Sequence, residues 1–555
     1  MNFEYMQTNR KLHLCLLLLV CFFTFFIHNK VVYPDIMESR NLITAREMVE
    51  YNNWLVPTMN GTLRLEKPPL PTWIAGVIEW IAPDNIALQR TAAGMMAMLL
   101  VFFMYFLGTG MTKRPLYGLV SALVLCTSFN IILMGRTASW DIYCHSFMLG
   151  AIYFFFRAFE LEGACWRDFL LAGTFMGLSF LGKGPVSFYA LLLPFLLCYF
   201  PLYRPSVKGK VLPLLAMVLI CLAISLWWPV YLYLYHRDMA MFVAAKESTA
   251  WLERNVRPWY YYWKFFLESG IWSLFLITGL LWPYWKKRMH FRREYVLTVS
   301  WTFAILILLS FLPEKKTRYL LPILIPSAMV VAHVFFYWHE KLVERKLLLG
   351  WDKLFFRVNT LLIVFVACCL PVGIYVYCFV LSGGGIGMVV FFLSTLLFLG
   401  VAYVLFRSAV KVRPLSFLGG VVFLFFIVEA FLMPSVAGLF NNPDMKSIKA
   451  VRDVEVLRNV PFYYPEDEEL RIELVYEAGR RILPWDLSAS ETLPVSPMVL
   501  VSARSADEVL PDTLKSRVNM TFIGKFDDNR RKANTKWHSD IFVRYVTLLE
   551  MKKVP

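Results

Sequence analysis

Apolar runs of membrane-crossing length alternate with short polar breaks from Leu12 to Met433. A helix rises 1.5 Å per residue, so about 20 apolar residues cover ~30 Å of hydrocarbon. On that length criterion the pattern predicts roughly thirteen spans, at 12–29, 86–109, 116–134, 142–158, 169–182, 186–202, 211–234, 269–285, 295–312, 318–338, 357–380, 386–406 and 415–434. The first run follows Arg10 and Lys11, but no small-residue cleavage site precedes Asn29 and Lys30, so it reads as a retained anchor. Between spans, Glu38 to Tyr51 places Leu42, Ile43, Ala45, Met48 and Val49 at helical spacing, which predicts an amphipathic helix at the interface. From Asn441 the pattern becomes that of a soluble chain. Arg471–Tyr476, Met498–Val501, Met520–Ile523 and Ile541–Thr547 read as strands, and Met445–Val456 and Ala506–Leu514 as helices. The expected fold class is an all-α polytopic membrane protein, 1–440, followed by a small soluble α/β domain, 441–555.

Composition agrees with a membrane protein: 58% of the 555 residues are hydrophobic and 17% charged. A formal charge of +16 would suit a nucleic-acid binder only if it formed one patch. It alternates by loop instead. With the N-terminus in the cytoplasm, Lys113/Arg114, Arg157/Arg167, Arg204/Lys208/Lys210, Lys286/Lys287/Arg288/Arg292/Arg293, Lys341/Arg345/Lys346 and Arg407/Lys411/Arg413 fall on the cytoplasmic side, as the positive-inside bias requires. The outer connections are then 31–85, 135–141, 182–185, 236–268, 313–317 and 382–387, and with an odd number of spans the tail is periplasmic. All ten cysteines lie at or before Cys378, mostly in apolar runs, so no disulfide framework is expected.

The outer loops carry acids and bases together, among them Asp35, Glu38, Arg40, Glu66, Lys67, Arg136, Asp141, Lys183, Lys246, Glu247, Arg254, Arg257, Glu314, Lys316 and Arg318. Cations on that side break the topological bias, and an anion such as a lipid-carrier phosphate would account for them. In Glu66-Lys67-Pro68-Pro69-Leu70-Pro71-Thr72-Trp73 the prolines would hold Glu66 and Lys67 at a fixed depth; a Pro-rich turn with a solvated ion pair is the plainer reading. The cluster Trp259-Tyr260-Tyr261-Tyr262-Trp263 marks either the headgroup level or a lipid or sugar contact. His145 could pair with Asp141 or simply pack. Eight scattered histidines, no HExxH and no outer Asp-x-Asp lead us to expect no obligatory metal or other cofactor. Charges gathered at outer helix ends favour an enzyme, whereas a transporter or flippase would carry them at the midplane of broken helices, and no internal repeat is visible.

Three stretches, Arg46-Glu47-Met48, Asn53 to Gly61 and Glu66 to Leu70, resemble the first outer loop of the lipid A aminoarabinose transferase family. That family lies within the polyprenyl-phosphate-sugar-dependent transferases of the GT-C fold, which include the protein O-mannosyltransferases. The resemblance continues in order through Gly135-Arg136-Thr137-Ala138-Ser139-Trp140-Asp141, Leu181-Gly182-Lys183-Gly184-Pro185 and Glu314 to Pro322. It implies an inverting transfer of a sugar from polyprenyl phosphate to lipid A or a related glycolipid, by a monomer of the bacterial inner membrane with its site on the periplasmic face. A protein O-glycosyltransferase is the alternative it leaves open. By the same resemblance, Arg40 and Lys67 correspond to ligands of the carrier phosphate, with Arg254, Arg257, Arg318 and Tyr319 as further candidates. Asp141 and Glu66 correspond to acids of the second outer loop and of the third motif, while Arg136, Lys183 and Lys316 fall within the matching motifs. The family's loop opens on an Asp-Glu pair, and Met37 stands here where the Asp is expected. Glu38 is then the favoured base, with Asp35, two residues upstream of Met37, or an acceptor that needs no strong base as the alternatives.

Overall fold

The computed structural model describes residues 8–344, 348–381, 386–434, 442, 444–487, 492–531, 535, 536 and 538–552. Arg345, Lys346 and most of the expected outer loop at 382–387 lie outside these residues. The chain divides into two compact units. The first comprises Met1–Val31, Leu65–Ile74 and Asp84–Ser435, and the second Val32–Arg64, Ala75–Pro83 and Val436–Pro555. The division differs from the expected boundary at 440/441: Val32–Arg64 and Ala75–Pro83 of the first outer connection group with the tail, whose core Ile43 and Met59 complete, while Leu65–Ile74 stays with the helices.

The first unit is helical. Among the described residues, eight helices are long and apolar enough to cross a membrane: Ile86–Thr112, Trp140–Glu160, Val211–Tyr235, Arg292–Phe311, Thr317–Val343, Gly350–Val380, Met388–Lys411 and Pro414–Leu432. A ninth is made if Pro115–Cys126 and Phe129–Gly135, bent by 70°, form one span. Arg10–Phe25, Trp166–Lys183 and Phe188–Tyr203 fall at the remaining expected positions as helices of 16 to 18 residues or less. The expected span 269–285 is not one helix. Gly270, at φ 62°, turns the chain out of the tight helical run Trp259–Trp272, and two short helices, Ser273–Gly279 and Trp282–Trp285, follow.

Burial sorts these helices. Thr317–Val343 is enclosed almost completely, whereas Gly350–Val380 and Val211–Tyr235 present long rows of Leu, Val and Phe to the outside, as lipid-facing helices do. Trp166–Lys183 lies close against Val211–Tyr235 through Gly173 and Gly177, four residues apart on one face. A Cβ on Gly173 would stand 2.4 Å from the Met217 carbonyl oxygen, so only small residues permit this approach.

The second unit is built on a five-stranded sheet in the order Ile482–Trp485, Phe462–Pro465, Met498–Ser502, Val543–Met551, Val518–Asp527. The first two pairings are parallel and the last two antiparallel. On one face Ile448, Val451, Leu474, Val475 and Val546 form a core that Ile43, from the helix Ile36–Tyr51, and Met59 complete. The stretch 471–476, expected as a strand, is the helix Ile472–Ala478, ended by Gly479 at φ 76°. Its Leu474, Val475 and Ala478 fall on one helical face and all three are buried. Met445–Val456 forms two tight turns, Ile448–Asp453 and Glu455–Leu457, and Ala506–Leu514 two short helices, Ala506–Val509 and Asp512–Lys515.

Candidate active site

The prolines after Lys67 decide where the next helix starts. A residue before proline is pushed to extended conformations, and proline is tolerated in a helix's first turn. The helix Leu70–Ile81 accordingly begins just beyond Pro68-Pro69, with Pro71 in its first turn, leaving Glu66 and Lys67 on the non-helical segment before it. Lys67 Nζ is 3.0 Å from Glu247 Oε2, and Lys246 Nζ is 3.2 Å from Glu66 Oε1. Two neighbouring residues of opposite charge thus meet two neighbours of the opposite order on the helix Arg237–Glu253.

Asp141 lies in the first turn of Trp140–Glu160, and Lys183 is the last residue of Trp166–Lys183. Helix dipoles favour a carboxylate at the first position and an ammonium at the second. The two pair directly, both almost fully buried. The Lys183 ammonium also lies over the Tyr319 ring, 5.1 Å from its centroid. His145, one turn beyond Asp141, is buried and its Nδ1 has no hydrogen-bond partner, so the Asp141–His145 pairing gives way to Asp141–Lys183.

A third group forms where Val256 and Glu314 bridge as an isolated antiparallel pair, with Lys315 N donating to Asn255 O at 3.2 Å. This brings Arg254 Nε to 3.0 Å and Lys316 Nζ to 2.6 Å from Glu314 Oε1, while the Tyr319 hydroxyl donates to Glu314 Oε2 at 3.2 Å. Burial alone would push the Glu314 carboxyl up, but Lys316 and Arg254 hold it below its ordinary value. Burial pushes the Lys316 ammonium down, only partly offset by Glu314.

These groups surround one cavity of about 710 Å³. Its polar lining includes Glu66, Lys67, Lys183, Glu247, Arg254 and Glu314; Tyr319 and His145 also reach it. Trp228, Leu232, Phe180, Val186, Leu309 and Leu312 give it a mainly apolar wall. Every lining cation is matched by a carboxylate. An amphiphile with an anionic head and an apolar tail suits such a lining.

Of the residues singled out from sequence, Lys67, Glu66, Lys183, Arg254 and Tyr319 line the cavity. Asp141 and Lys316 touch it through Lys183 and Glu314. Arg318 is half-buried next to Tyr319, outside the lining. Arg257 is exposed and takes part through its backbone, which donates to Pro313 O at 3.3 Å. Arg136 serves elsewhere: its guanidinium donates to the carbonyls of Thr24 and Ile27 and pairs with Glu429 at 3.1 Å, clamping helices together. Glu247, an outer-loop acid to which the sequence assigns no role, also lines the cavity; the Lys246-Glu247 order opposes Glu66-Lys67 only once the fold brings the two segments together.

Asp35, Glu38 and Arg40 belong to the second unit. Asp35 caps the helix Ile36–Tyr51 by accepting the Glu38 backbone N–H at 2.8 Å, which accounts for its carboxylate structurally. Glu38 is buried and Arg40 half-buried. The same helix presents Glu47, whose Oε2 accepts from Thr58 Oγ1 at 2.6 Å, from the Gly61 backbone at 3.3 Å and from Arg481 at 2.7 Å. In the aromatic cluster, Tyr262 is buried and its hydroxyl accepts from Lys316 N at 2.9 Å, while Trp259, Tyr260 and Trp263 stay exposed.

Residues 66–228 match the family described as dolichyl-phosphate-mannose-protein mannosyltransferase. Among curated proteins, the undecaprenyl phosphate-alpha-4-amino-4-deoxy-L-arabinose arabinosyl transferase of Edwardsiella ictaluri (strain 93-146) is 26% identical over 309 residues, 54% of this chain and 54% of that protein. An uncharacterized protein of Aquifex aeolicus (strain VF5) is 26% identical over 319 residues, 57% of this chain and 61% of that protein. The chain thus spans about half the length of the curated relatives it matches. The crystal structure of ArnT from Cupriavidus metallidurans bound to undecaprenyl phosphate is similar over 97% of both chains, with a TM-score of 0.69 at 18% identity, so the two share a fold. The chain is accordingly similar in sequence, over about half its length, to undecaprenyl-phosphate aminoarabinose transferases, matches a mannosyltransferase family model over residues 66–228, and shares the fold of ArnT.

Proposed function

We propose that the chain is an inverting glycosyltransferase that moves a sugar from a polyprenyl-phosphate carrier to lipid A or a related cell-envelope glycolipid, on the periplasmic face of a bacterial inner membrane. The observation that carries the reading is the cavity in which Lys67, Lys183 and Arg254 stand above an apolar wall. A carrier of this class has a phosphate to be met by the cations and a polyprenyl chain to lie on the wall. The curated relatives, named for undecaprenyl-phosphate-linked aminoarabinose transfer, support the carrier class.

In the proposed reaction the bond from the anomeric carbon to the carrier phosphate breaks, its electron pair leaves with the phosphate, and the acceptor oxygen bonds to the opposite face of that carbon. Positive charge grows on the sugar ring and negative charge on the leaving phosphate. Cations already held in a partly dry cavity stabilise that phosphate, a contribution worth several kcal/mol. Lys67 would leave Glu247 for the phosphate, an exchange of low cost because both side chains keep some solvent contact. A carboxylate then takes the acceptor's hydroxyl proton, unless the acceptor is itself an ionised phosphate. We propose that no cofactor takes part, with the protein acting as a monomer of thirteen crossings, the shorter helices and the broken segment 259–285 completing the eight or nine long ones.

The match of residues 66–228 to a protein mannosyltransferase family favours one second reading, transfer to exported protein. Mass spectrometry of lipid A and envelope glycans from a strain lacking this gene separates the two. Loss of one sugar-sized mass from lipid A supports the first reading. Unchanged lipid A with an exported glycoprotein short of one residue supports the second.

A further inference from the structure

A second cavity, of about 320 Å³, opens at the other end of the helix Trp140–Glu160. Arg157 on its rim lies ~24 Å along that helix from Asp141, at 1.5 Å per residue. Four aromatic side chains, Tyr105, Phe106, Tyr153 and Phe156, make its floor, and Arg10, Lys113 and Arg157 stand on its rim.

Three separate elements bring these cations together. Arg10 opens the helix Arg10–Phe25, and Lys113, at φ 57°, ends Ile86–Thr112 by turning off its axis. Arg157 occupies the last turn of Trp140–Glu160. Carboxylates answer them only in part. Lys113 is 3.4 Å from Glu160 but largely exposed, and Arg157 is 3.4 Å from Asp168 and about half exposed; such pairs contribute little. A fourth cation, the buried Lys210 ammonium, donates to the carbonyls of Ala158 and Leu161 at 2.5 and 2.7 Å at the same helix end. Lys210 and Asp168 stand outside the lining, where three cations face one carboxylate, Glu160, around the aromatic floor.

A freely soluble anion would gain nothing from the floor, and a zwitterionic lipid would bring its own cation against the basic rim. The geometry points to an acidic phospholipid, its phosphodiester between Arg10, Lys113 and Arg157 and the first carbons of its chains on Tyr105, Tyr153 and Phe156. Basic pockets between helices at a membrane surface recognise this headgroup chemistry. Gly110 also lines the cavity, and a Cβ there would already meet the Phe156 ring at 3.9 Å. A longer side chain at this position takes up space beside the Phe156 ring and changes none of the three charges. This binding site is separate from the cavity of the proposed transfer and does not rest on that reading.

The test is native mass spectrometry of the full chain in detergent, offered phosphatidylglycerol and phosphatidylcholine in equal amounts. The parent is expected to retain phosphatidylglycerol selectively. Arg10→Gln/Lys113→Gln/Arg157→Gln should reduce that retention on the order of tenfold or more, since each basic residue near the surface contributes about as much as a several-fold change in binding. Gly110→Leu should reduce it with all charges intact, which decides the matter if the triple variant does not fold. Millimolar inorganic phosphate should leave the lipid in place. Equal retention of the two lipids by the parent, undiminished retention in Gly110→Leu, or displacement by inorganic phosphate would each overturn the inference.

Discussion

Lys67 Nζ stands 3.0 Å from Glu247 Oε2, and beside it Lys246 Nζ stands 3.2 Å from Glu66 Oε1. The two contacts look alike but differ in setting: Lys67 lines the cavity, whereas Lys246 is more than half exposed and does not. Lys246→Ala should therefore lower stability by at most about 1 kcal/mol, as exposed pairs do, and leave turnover within roughly threefold of the parent's. Thermal unfolding and transfer assays on the purified variant check both.

Asp141 and Lys183 are a buried pair joining two helix ends. Removing one partner strands a charge, which costs about 3–5 kcal/mol, whereas replacing both with apolar residues is often tolerated. Lys183→Met should lower the melting temperature sharply, and Lys183→Met/Asp141→Leu should recover most of the loss yet remain inactive. Recovery of transfer in the double variant would remove both residues from the proposed chemistry.

Glu47 holds Thr58, Gly61 and Arg481 with one carboxylate oxygen in the second unit. Glu47→Ala leaves these donors without their acceptor, at about 1–3 kcal/mol for buried groups. Limited proteolysis should then cut within 52–64 faster than in the parent, while the helices of the first unit stay resistant.

The Glu314 carboxyl is held below the ordinary glutamate value of 4.5, because its contacts with Lys316 and Arg254 outweigh the upward push of burial. A depressed pKa contributes stability that is complete above the ordinary value and is lost as pH falls through the folded one. Since Arg254 is nearly half exposed, the contribution is on the order of 1 kcal/mol after allowing for solvent screening. The melting-temperature gap between the parent and Glu314→Gln should stay constant from pH 8 to about pH 5 and narrow only below 4.5. A gap that closes between pH 7 and pH 6 would contradict the assignment.

Helices were legible because membrane-crossing segments need only length and apolarity. Lys67, Lys183 and Tyr319 stand out because they sit in matching motifs; the prolines beside Lys67 read by themselves only as a turn with a solvated ion pair. Glu247 was not legible, since its partner is 180 residues away and no local pattern reports such a pairing. Arg136 read as a site residue because an arginine at an outer helix end suits a phosphate; buried carbonyls and Glu429 use it instead. In the tail, Phe462–Pro465 and Ile482–Trp485 went unread as strands because each is short and contains a proline. Ile482–Trp485 is an edge strand, where a missing N–H is tolerated. Ile472–Ala478 was misread because its four leading residues mix β-branched and polar types; the burial of Ala478 with Leu474 restores the helical period.

The most direct test is release of undecaprenyl phosphate from a radiolabelled undecaprenyl-phosphate sugar by the purified protein in proteoliposomes with lipid A, comparing the parent with folded Lys67→Ala. Loss of a leaving-group contact of this kind predicts a fall of about a hundredfold or more, with the melting temperature little changed. A folded Lys67→Ala protein that turns over at near the parent's rate would contradict the assignment of this cavity to the carrier phosphate.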